Sequence, residues 1–188
     1  ALVKDADIFI ESSKGPVWAR KGITDDFLWE VNPRLVIVHV SGFGHVGDPK
    51  RVHSAAYDLT VQDYSGYVYQ NGTPEEAMTA APYTGDYFNS LMVISSALAA
   101  VFRAQRTGEG ESIDVAMYET MLRVGAYYMI DYMNKGVLYP RAGARHQNLC
   151  AIGQYKTKDG ILGLCCYGIP QNKYLLEVIG LGDLWGTE

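Results

Sequence analysis

The sequence predicts an α/β protein built on a parallel sheet. Two short apolar runs, residues 7–10 and 35–40, are too short for helices, and the second is rich in β-branched side chains. A capped helical pattern lies between them, and a third, alternating run covers residues 112–117. Strand, helix and strand in succession indicate parallel strands covered by helices.

Turn and capping residues place the helices of the first half. Thr24 precedes two acidic residues and an apolar stretch, which is typical of a helix N-terminus, and Asn32-Pro33 ends that helix. A second helix is predicted over residues 56–69, ending near Gly66, and residues 71–74 form a turn.

Residues 42–47 match the pattern G-x-G-x-x-G, which is typical of dinucleotide-binding sites. That pattern requires a helix to begin at once, whereas Asp48-Pro49 continues a polar loop and apolar periodicity returns only at Tyr57. We therefore predict a sharp glycine loop and no dinucleotide site.

A long helix over residues 81–106 carries one carboxylate, Asp86, in its first turn. Apolar and small side chains recur at spacings of three and four, which predicts a helix that packs closely on several sides: Leu91, Ile94, Ser95, Leu98, Ala99 and Phe102. The positive end of the helix dipole favours an ionised Asp86.

The residues alone leave two interpretations of Asp86 open. A carboxylate in the first turn of a helix is typically a cap. Tyr83, Tyr87 and Phe88 surround it, and Gly85 permits close approach of a ligand, so a binding pocket is the second interpretation.

The texture of the sequence changes after a further helix over residues 118–134. From residue 137 the chain is rich in glycine, basic residues and turns, until a predicted strand at 161–167 and a helix at 171–179. We therefore predict two regions, residues 1–136 and residues 137–188.

Composition excludes several classes of protein. The net charge of −5 argues against a general nucleic-acid binder. The apolar run in 90–102 is shorter than a membrane-spanning helix requires, so we expect no membrane association. Three cysteines form no disulfide framework, which favours the cytoplasm. Four histidines show no metal-ligand spacing, so we predict no metal. The chain begins without Met, and we expect it to be an internal fragment.

Several motifs, in order, resemble the family III CoA-transferases (CaiB/BaiF type), and most closely the branch that acts on carnitine. The resemblance spans essentially the whole chain, and the ordered set of motifs is more specific than any one of them. It rests on residues 6–11, 14–16, 32–36, 41–44, 83–87, 107–114, 155–156 and 159–160.

The resemblance implies that Asp86 is a nucleophile, which exchanges CoA between carboxylic acids through an aspartyl-CoA thioester. It implies that Lys14 and Lys21 bind the phosphates of CoA, and Arg20 is a further candidate beside Lys21. The N–H groups near Gly85 and Tyr87 are our candidates for holding the oxyanion.

The resemblance also implies a Rossmann-like sheet in an incomplete large domain, followed by the start of a smaller α+β domain. The intact protein would be an interlocked homodimer without a permanent cofactor. It would transfer CoA from crotonobetainyl-CoA or γ-butyrobetainyl-CoA to L-carnitine. We expect the isolated fragment to be inactive.

Three alternatives stay open. An α-methylacyl-CoA racemase would carry histidine at the position of Tyr57, where this chain lacks an imidazole. A transferase of the formyl-CoA or oxalate type shares the aspartate. A non-catalytic CoA-binding or interaction fragment is the third alternative.

Overall fold

The structure, a computed structural model, describes residues 1–13, 15–52 and 54–186. Its contacts group the chain into two compact units. The first unit holds Ala1–Tyr69 and Thr79–Leu138, and the second holds Gln70–Met78 and the segment that begins at Tyr139. The predicted division of the protein into regions 1–136 and 137–188 stays a prediction.

The first unit is built on a parallel sheet, which confirms the predicted α/β class. Strands β1 (Ile8–Glu11), β2 (Val36–Ser41) and β3 (Ser112–Ala116) lie in the order β1-β2-β3. In this register, Ile10 pairs with Val38, and Val38 pairs with Ile113. The carboxyl ends of the three strands therefore meet at one edge of the sheet.

Helices cover both faces of the sheet because the central strand is apolar on both sides. On one face, Val36 and Val38 pack with the long helix α5 (Thr84–Thr107). On the other face, Ile37 packs with Leu28 of helix α2 (Asp25–Val31). Fully burying such a side chain stabilises the folded state by about 1.5–3 kcal/mol. Because β2 contributes buried side chains to both faces, it is the centre of this core.

The buried face of helix α5 is narrow and made of small side chains. Its buried residues recur at spacings of three and four: Gly85, Asn89, Val93, Ala97, Ala100 and Ala104. The larger apolar side chains of the predicted packing pattern lie on the exposed surface of this chain: Leu91, Ile94, Leu98 and Phe102. We predicted close packing on several sides of this helix. Within this chain the packing is confined to the face of small side chains, because alanines allow the helix backbone to approach the sheet closely.

Helix α5 is long and apolar enough, by length and composition, to cross a membrane. The expectation that this stretch is too short to span a membrane rested on residues 90–102 alone and is wrong for the whole helix. The buried core helix of a soluble protein meets the same criterion, so this property alone does not indicate a membrane-spanning segment.

Two predicted helices are each divided in the structure. The segment 56–69 forms α3 (Asp58–Tyr64) and α4 (Tyr67–Gln70), separated at Gly66, where φ is +75°. The segment 118–134 forms α6 (Met117–Val124) and α7 (Tyr127–Lys135), separated where Ala126 has φ +51°. A residue with positive φ breaks the helical hydrogen-bond pattern at each point. A four-residue helix, α1 (Val17–Arg20), was not predicted.

The second unit contains an antiparallel hairpin followed by a helix. Strands β4 (Ile152–Lys156) and β5 (Ile161–Cys165) pair antiparallel, and α8 (Ile169–Val178) follows. The sequence analysis treated β4 as a glycine-rich loop. Gly153 lies in β4 with φ +147°, so the feature that suggested a loop is an irregular residue inside a strand.

The glycine loop after β2 has the structure expected from its sequence. No helix follows Gly42–Gly47 in the described part of the chain before α3 begins at Asp58. A Cβ atom on Gly42 would lie 2.2 Å from the Cβ of Ala56, so this glycine permits close packing. The structure therefore supports a packed loop at this motif.

Candidate active site

Asp86 is the third residue of helix α5, and its carboxylate does not cap that helix. Tyr83 is the N-cap residue. In a capping box, the carboxylate of the third helical residue accepts a hydrogen bond from the N–H of the N-cap residue. Here the N–H of Tyr83 donates to Oδ2 of Asp58 at 2.8 Å instead. The capping interpretation of Asp86 is therefore wrong in this structure.

The pKa of Asp86 is raised above its ordinary value of 3.8. The larger cause is partial desolvation, although the side chain is exposed in this chain, and the negative charge of Asp58 is the second cause. This direction is opposite to the one that the helix dipole alone predicts. A carboxylate with a raised pKa is a more basic group, which suits a nucleophile.

The chain segment that leads into α5 is held by two side chains of α3. Asp58 accepts hydrogen bonds from the N–H of Gly85 at 2.7 Å and of Tyr83 at 2.8 Å. Gln62, which is 1% exposed, donates to Asp58 at 2.9 Å and accepts from the N–H of Ala80 at 3.0 Å. Asp58 was not among the predicted site residues, because no local sequence pattern links it to Gly85, 27 residues away.

The two N–H groups proposed to hold an oxyanion are already engaged. The N–H of Gly85 donates to Asp58, and the N–H of Tyr87 donates to the carbonyl of Tyr83 at 2.9 Å. The second bond is the ordinary i to i−4 bond of a helix. Neither group is free to bind a substrate oxygen, so this hypothesis is wrong for the conformation described.

The aromatic residues near Asp86 lie at the surface of this chain. Tyr83 is 65% exposed and Tyr87 is 72% exposed, and Phe88 is also exposed. The described residues therefore do not enclose the carboxylate.

Two of the three candidate CoA-binding cations lie on and beside helix α1. Lys14 is outside the described residues. Arg20 is the last residue of α1, and Lys21 is its C-cap; both are exposed. The ammonium group of Lys21 lies 5.5 Å from the centre of the Trp18 ring, a cation–π contact. Arg20 and Lys21 are adjacent in sequence at the end of α1, and no contact joins either of them to Asp86 among the described residues.

A charged cluster that sequence analysis missed lies at the edge of the sheet, beside α1. Glu11 and His39 are register partners on β1 and β2. His39 Nδ1 lies 2.8 Å from Glu11 Oε1, and His39 Nε2 lies 3.0 Å from Asp25 Oδ1. A cavity of about 240 Å³ adjoins the cluster and is lined also by Pro16 and Trp18.

Hydrogen bonds within this cluster shift the pKa values of two groups. Desolvation opposes both shifts. At Glu11, desolvation is outweighed by hydrogen bonds from Ser13 and His39 and by the charge of His39. The pKa of Glu11 is therefore lowered. Hydrogen bonds to Glu11 and Asp25 and their charges raise the pKa of His39. The cluster is therefore most stable with Glu11 ionised and His39 protonated.

His45 adds a third side chain of a metal-binding type. The ligand atoms of Glu11, His39 and His45 all lie within 4.8 Å of one another. The linear spacing of the histidines did not reveal this group. Both ring nitrogens of His39 already face carboxylates at hydrogen-bonding distance, so ion pairing accounts for the arrangement. The absence of a bound metal stays a prediction.

Comparison with known proteins identifies the family. A model of CoA-transferase family III matches residues 1–188. Two L-carnitine CoA-transferases, from Proteus sp. (strain LE138) and Proteus mirabilis (strain HI4320), are each 49% identical over 187 residues. These matches cover 99% of this chain and 46% of each relative. The chain therefore spans about half the length of the curated relatives it matches.

Solved structures share the fold. A CAIB/BAIF family protein from Brucella suis matches with a TM-score of 0.81 and 28% identity, covering 100% of this chain and 49% of its own. Rv3272 from Mycobacterium tuberculosis matches with a TM-score of 0.83 and 22% identity, over 100% and 49% of the two chains. The resemblance found in the sequence is confirmed, and the chain belongs to CoA-transferase family III.

Proposed function

We propose that the protein to which this chain belongs transfers CoA between carboxylic acids, with Asp86 as the nucleophile. One observation supports this most directly. Asp58 takes the backbone hydrogen bonds that a helix-start carboxylate would normally accept, which leaves the Asp86 carboxylate available for chemistry.

The first half of the reaction moves CoA onto Asp86. A carboxylate oxygen of Asp86 attacks the thioester carbonyl, the carbon–sulfur bond breaks, and CoA leaves as a thiolate. The product is a mixed anhydride. The thiolate then attacks the Asp86 side-chain carbonyl and releases the first acid as its carboxylate, which leaves an aspartyl-CoA thioester.

The second half reverses these steps with another acid. The carboxylate of the acceptor attacks the aspartyl thioester, and CoA again leaves as a thiolate. The thiolate attacks the acceptor's carbonyl in the new anhydride, which produces the new acyl-CoA and restores Asp86. These steps balance without an oxidant, a reductant or a metal. Water must be excluded because both intermediates hydrolyse.

Carnitine is the acceptor that we propose. The support is the 49% identity to proteins named L-carnitine CoA-transferase. The donor would be crotonobetainyl-CoA or γ-butyrobetainyl-CoA. Aromatic faces attract the trimethylammonium groups of these compounds, and the chain contains 14 tyrosines.

We propose that Lys14, Lys21 and Arg20 bind the CoA phosphates. The exposure of Arg20 and Lys21 supports this, as does the contact of Lys21 with Trp18, which lines the cavity. Coenzyme A acts here as a substrate, so no permanently bound cofactor or metal is required. We further propose a cytoplasmic homodimer in which the rest of the protein encloses Asp86, because the described residues leave it exposed.

The test uses the intact protein. It is mixed with crotonobetainyl-CoA and treated with hydroxylamine, and the modified residue is located by peptide mass spectrometry. We expect modification at Asp86 that is absent in Asp86→Ala. Asp63→Asn removes an exposed carboxylate of α3 and serves as a control that retains the modification.

Two results would contradict the proposal. An unmodified Asp86 in a protein that exchanges α-protons would favour a racemase. An unmodified Asp86 in a protein that only binds CoA would favour a binding module. Modification at Asp86 with oxalate as the better acceptor would support the transferase mechanism and contradict carnitine as the acceptor.

A further inference from the structure

The segment before Asp86 has an unusual backbone that requires external support. Tyr83 has φ +66°, a left-handed conformation that costs free energy for a residue other than glycine. Such a residue persists when the surrounding structure determines its conformation. The N–H of Tyr83 donates to Asp58, so a side chain of α3 supplies part of that support.

Three backbone donors in the segment are satisfied by α3. The N–H groups of Tyr83 and Gly85 donate to the two carboxylate oxygens of Asp58, and the N–H of Ala80 donates to Gln62. The first N–H groups of a helix have no partners inside it. Asp58 therefore caps α5 from a neighbouring helix, in place of a cap from its own chain segment.

Close packing reinforces these hydrogen bonds. A Cβ atom on Gly85 would lie 2.9 Å from Oδ1 of Asp58 and 3.1 Å from Cγ2 of Val61. Helices α3 and α5 therefore touch at the residue directly before Asp86. A shift of α3 would therefore disturb the backbone that carries Asp86.

The two carboxylates consequently have different roles. Asp58 accepts three hydrogen bonds, from Gly85, Tyr83 and Gln62. Among the described residues, none donates a hydrogen bond to the carboxylate of Asp86. We propose that Asp58 is a positioning residue, which orients the Asp86 nucleophile by holding the backbone at the start of α5. This inference rests on the proposed function.

The first test is Asp58→Asn in the intact protein. Asparagine offers one carbonyl oxygen, so its NH₂ group would face a backbone N–H and one hydrogen bond would become a repulsive contact. A displacement of about 1 Å at a reacting group costs about a hundredfold in rate. We expect kcat to fall about a hundredfold while the KM for acyl-CoA changes less than about threefold.

Matched variants separate positioning from charge and from folding. Asp63→Asn removes the same charge from the same helix at an exposed position and should keep the wild-type kcat. Gln62→Met retains the charge of Asp58 and its bonds to α5 but leaves the N–H of Ala80 unpaired. We expect a fall in kcat of about tenfold for it, again with little change in KM.

The rate of hydroxylamine-trapped modification at Asp86 is the decisive measurement. A purely structural role would lower the thermal unfolding midpoint but leave the rate per folded molecule unchanged, and that result would overturn the inference. So would a change in KM alone. If Asp58→Asn does not fold, Asp58→Glu takes its place, because it retains the charge but moves the carboxylate relative to the N–H groups of Tyr83 and Gly85. A wild-type kcat in that variant would overturn the inference. Failure of wild-type Asp86 to be modified would instead contradict the proposed function.

Discussion

The Nδ1 atom of His39 lies 2.8 Å from the Oε1 atom of Glu11, its direct partner across strands β1 and β2. Glu11 is almost fully buried, and Asp25 faces the other nitrogen of His39. Through His39 of β2, this cluster joins the end of β1 to the start of α2. The chain between them carries the proposed CoA-binding cations, so the cluster fixes both ends of that segment.

The cluster predicts a stability that depends on pH. The lowered pKa of Glu11 stabilises the fold above the ordinary value of 4.5, and this contribution is lost as pH falls through the folded pKa. The raised pKa of His39 stabilises the fold below the ordinary value of 6.5, and this contribution is lost as pH rises through the folded pKa. Both contributions operate together between these two values.

His39→Gln should therefore destabilise the protein most in that window, by about 1–3 kcal/mol, and less at alkaline pH. The measurement is the midpoint of thermal unfolding of the intact protein at about pH 5.5 and about pH 8.5. Asp25→Asn should act in the same direction, whereas Asp26→Asn, at an exposed position of α2, is the control. A destabilisation that is equal at both pH values would contradict the ion pair.

Metal removal should leave activity unchanged. The hydrogen bonds of His39 account for the Glu11–His39–His45 group without a metal, and the proposed chemistry uses none. We expect dialysis against EDTA to preserve CoA transfer and elemental analysis to find less than stoichiometric metal. Activity that is lost on dialysis and restored by Zn²⁺, but not restored in His45→Gln, would establish a metal site instead.

Gly85→Ala should impair both stability and turnover. The added Cβ would lie too close to Asp58 and Val61, and overpacking of this kind costs about 1–3 kcal/mol. The measurements are the thermal unfolding midpoint and kcat. Gly163→Ala is the matched control, because a Cβ at that glycine meets nothing within 4 Å. Equal effects of the two substitutions would contradict the close contact of α3 and α5.

Lys21→Met should weaken acyl-CoA binding. Loss of one charge-assisted hydrogen bond to phosphate should raise the KM for acyl-CoA about tenfold with kcat unchanged. Lys21→Arg should restore binding because its guanidinium group binds phosphate in a bidentate manner. Arg34→Met, at another exposed position, is the control. An unchanged KM in Lys21→Met and in Arg20→Met would remove both residues from the proposed CoA site.

Local patterns in the sequence were sufficient to predict much of the fold. The runs at 7–10, 35–40 and 112–117 correspond to strands β1, β2 and β3. They could be predicted because apolar periodicity and run length depend only on residues that are neighbours in the chain. The same patterns placed a helix end near Gly66 but missed the short helix α4 that follows it and the break at Ala126. They missed β4 as well, because Gly153 resembles a turn residue and its strand pairing depends on β5.

The sequence by itself determined the α/β class, the family and the place of Asp86 in the first turn of a helix. These properties depend on local periodicity and on motifs in order along the chain. Tertiary structure alone decided which face of α5 is buried, that Glu11 meets His39, and that Asp58 holds Gly85. The last two pairs lie 28 and 27 residues apart in sequence. They meet only because strand register and helix packing bring distant backbone segments together.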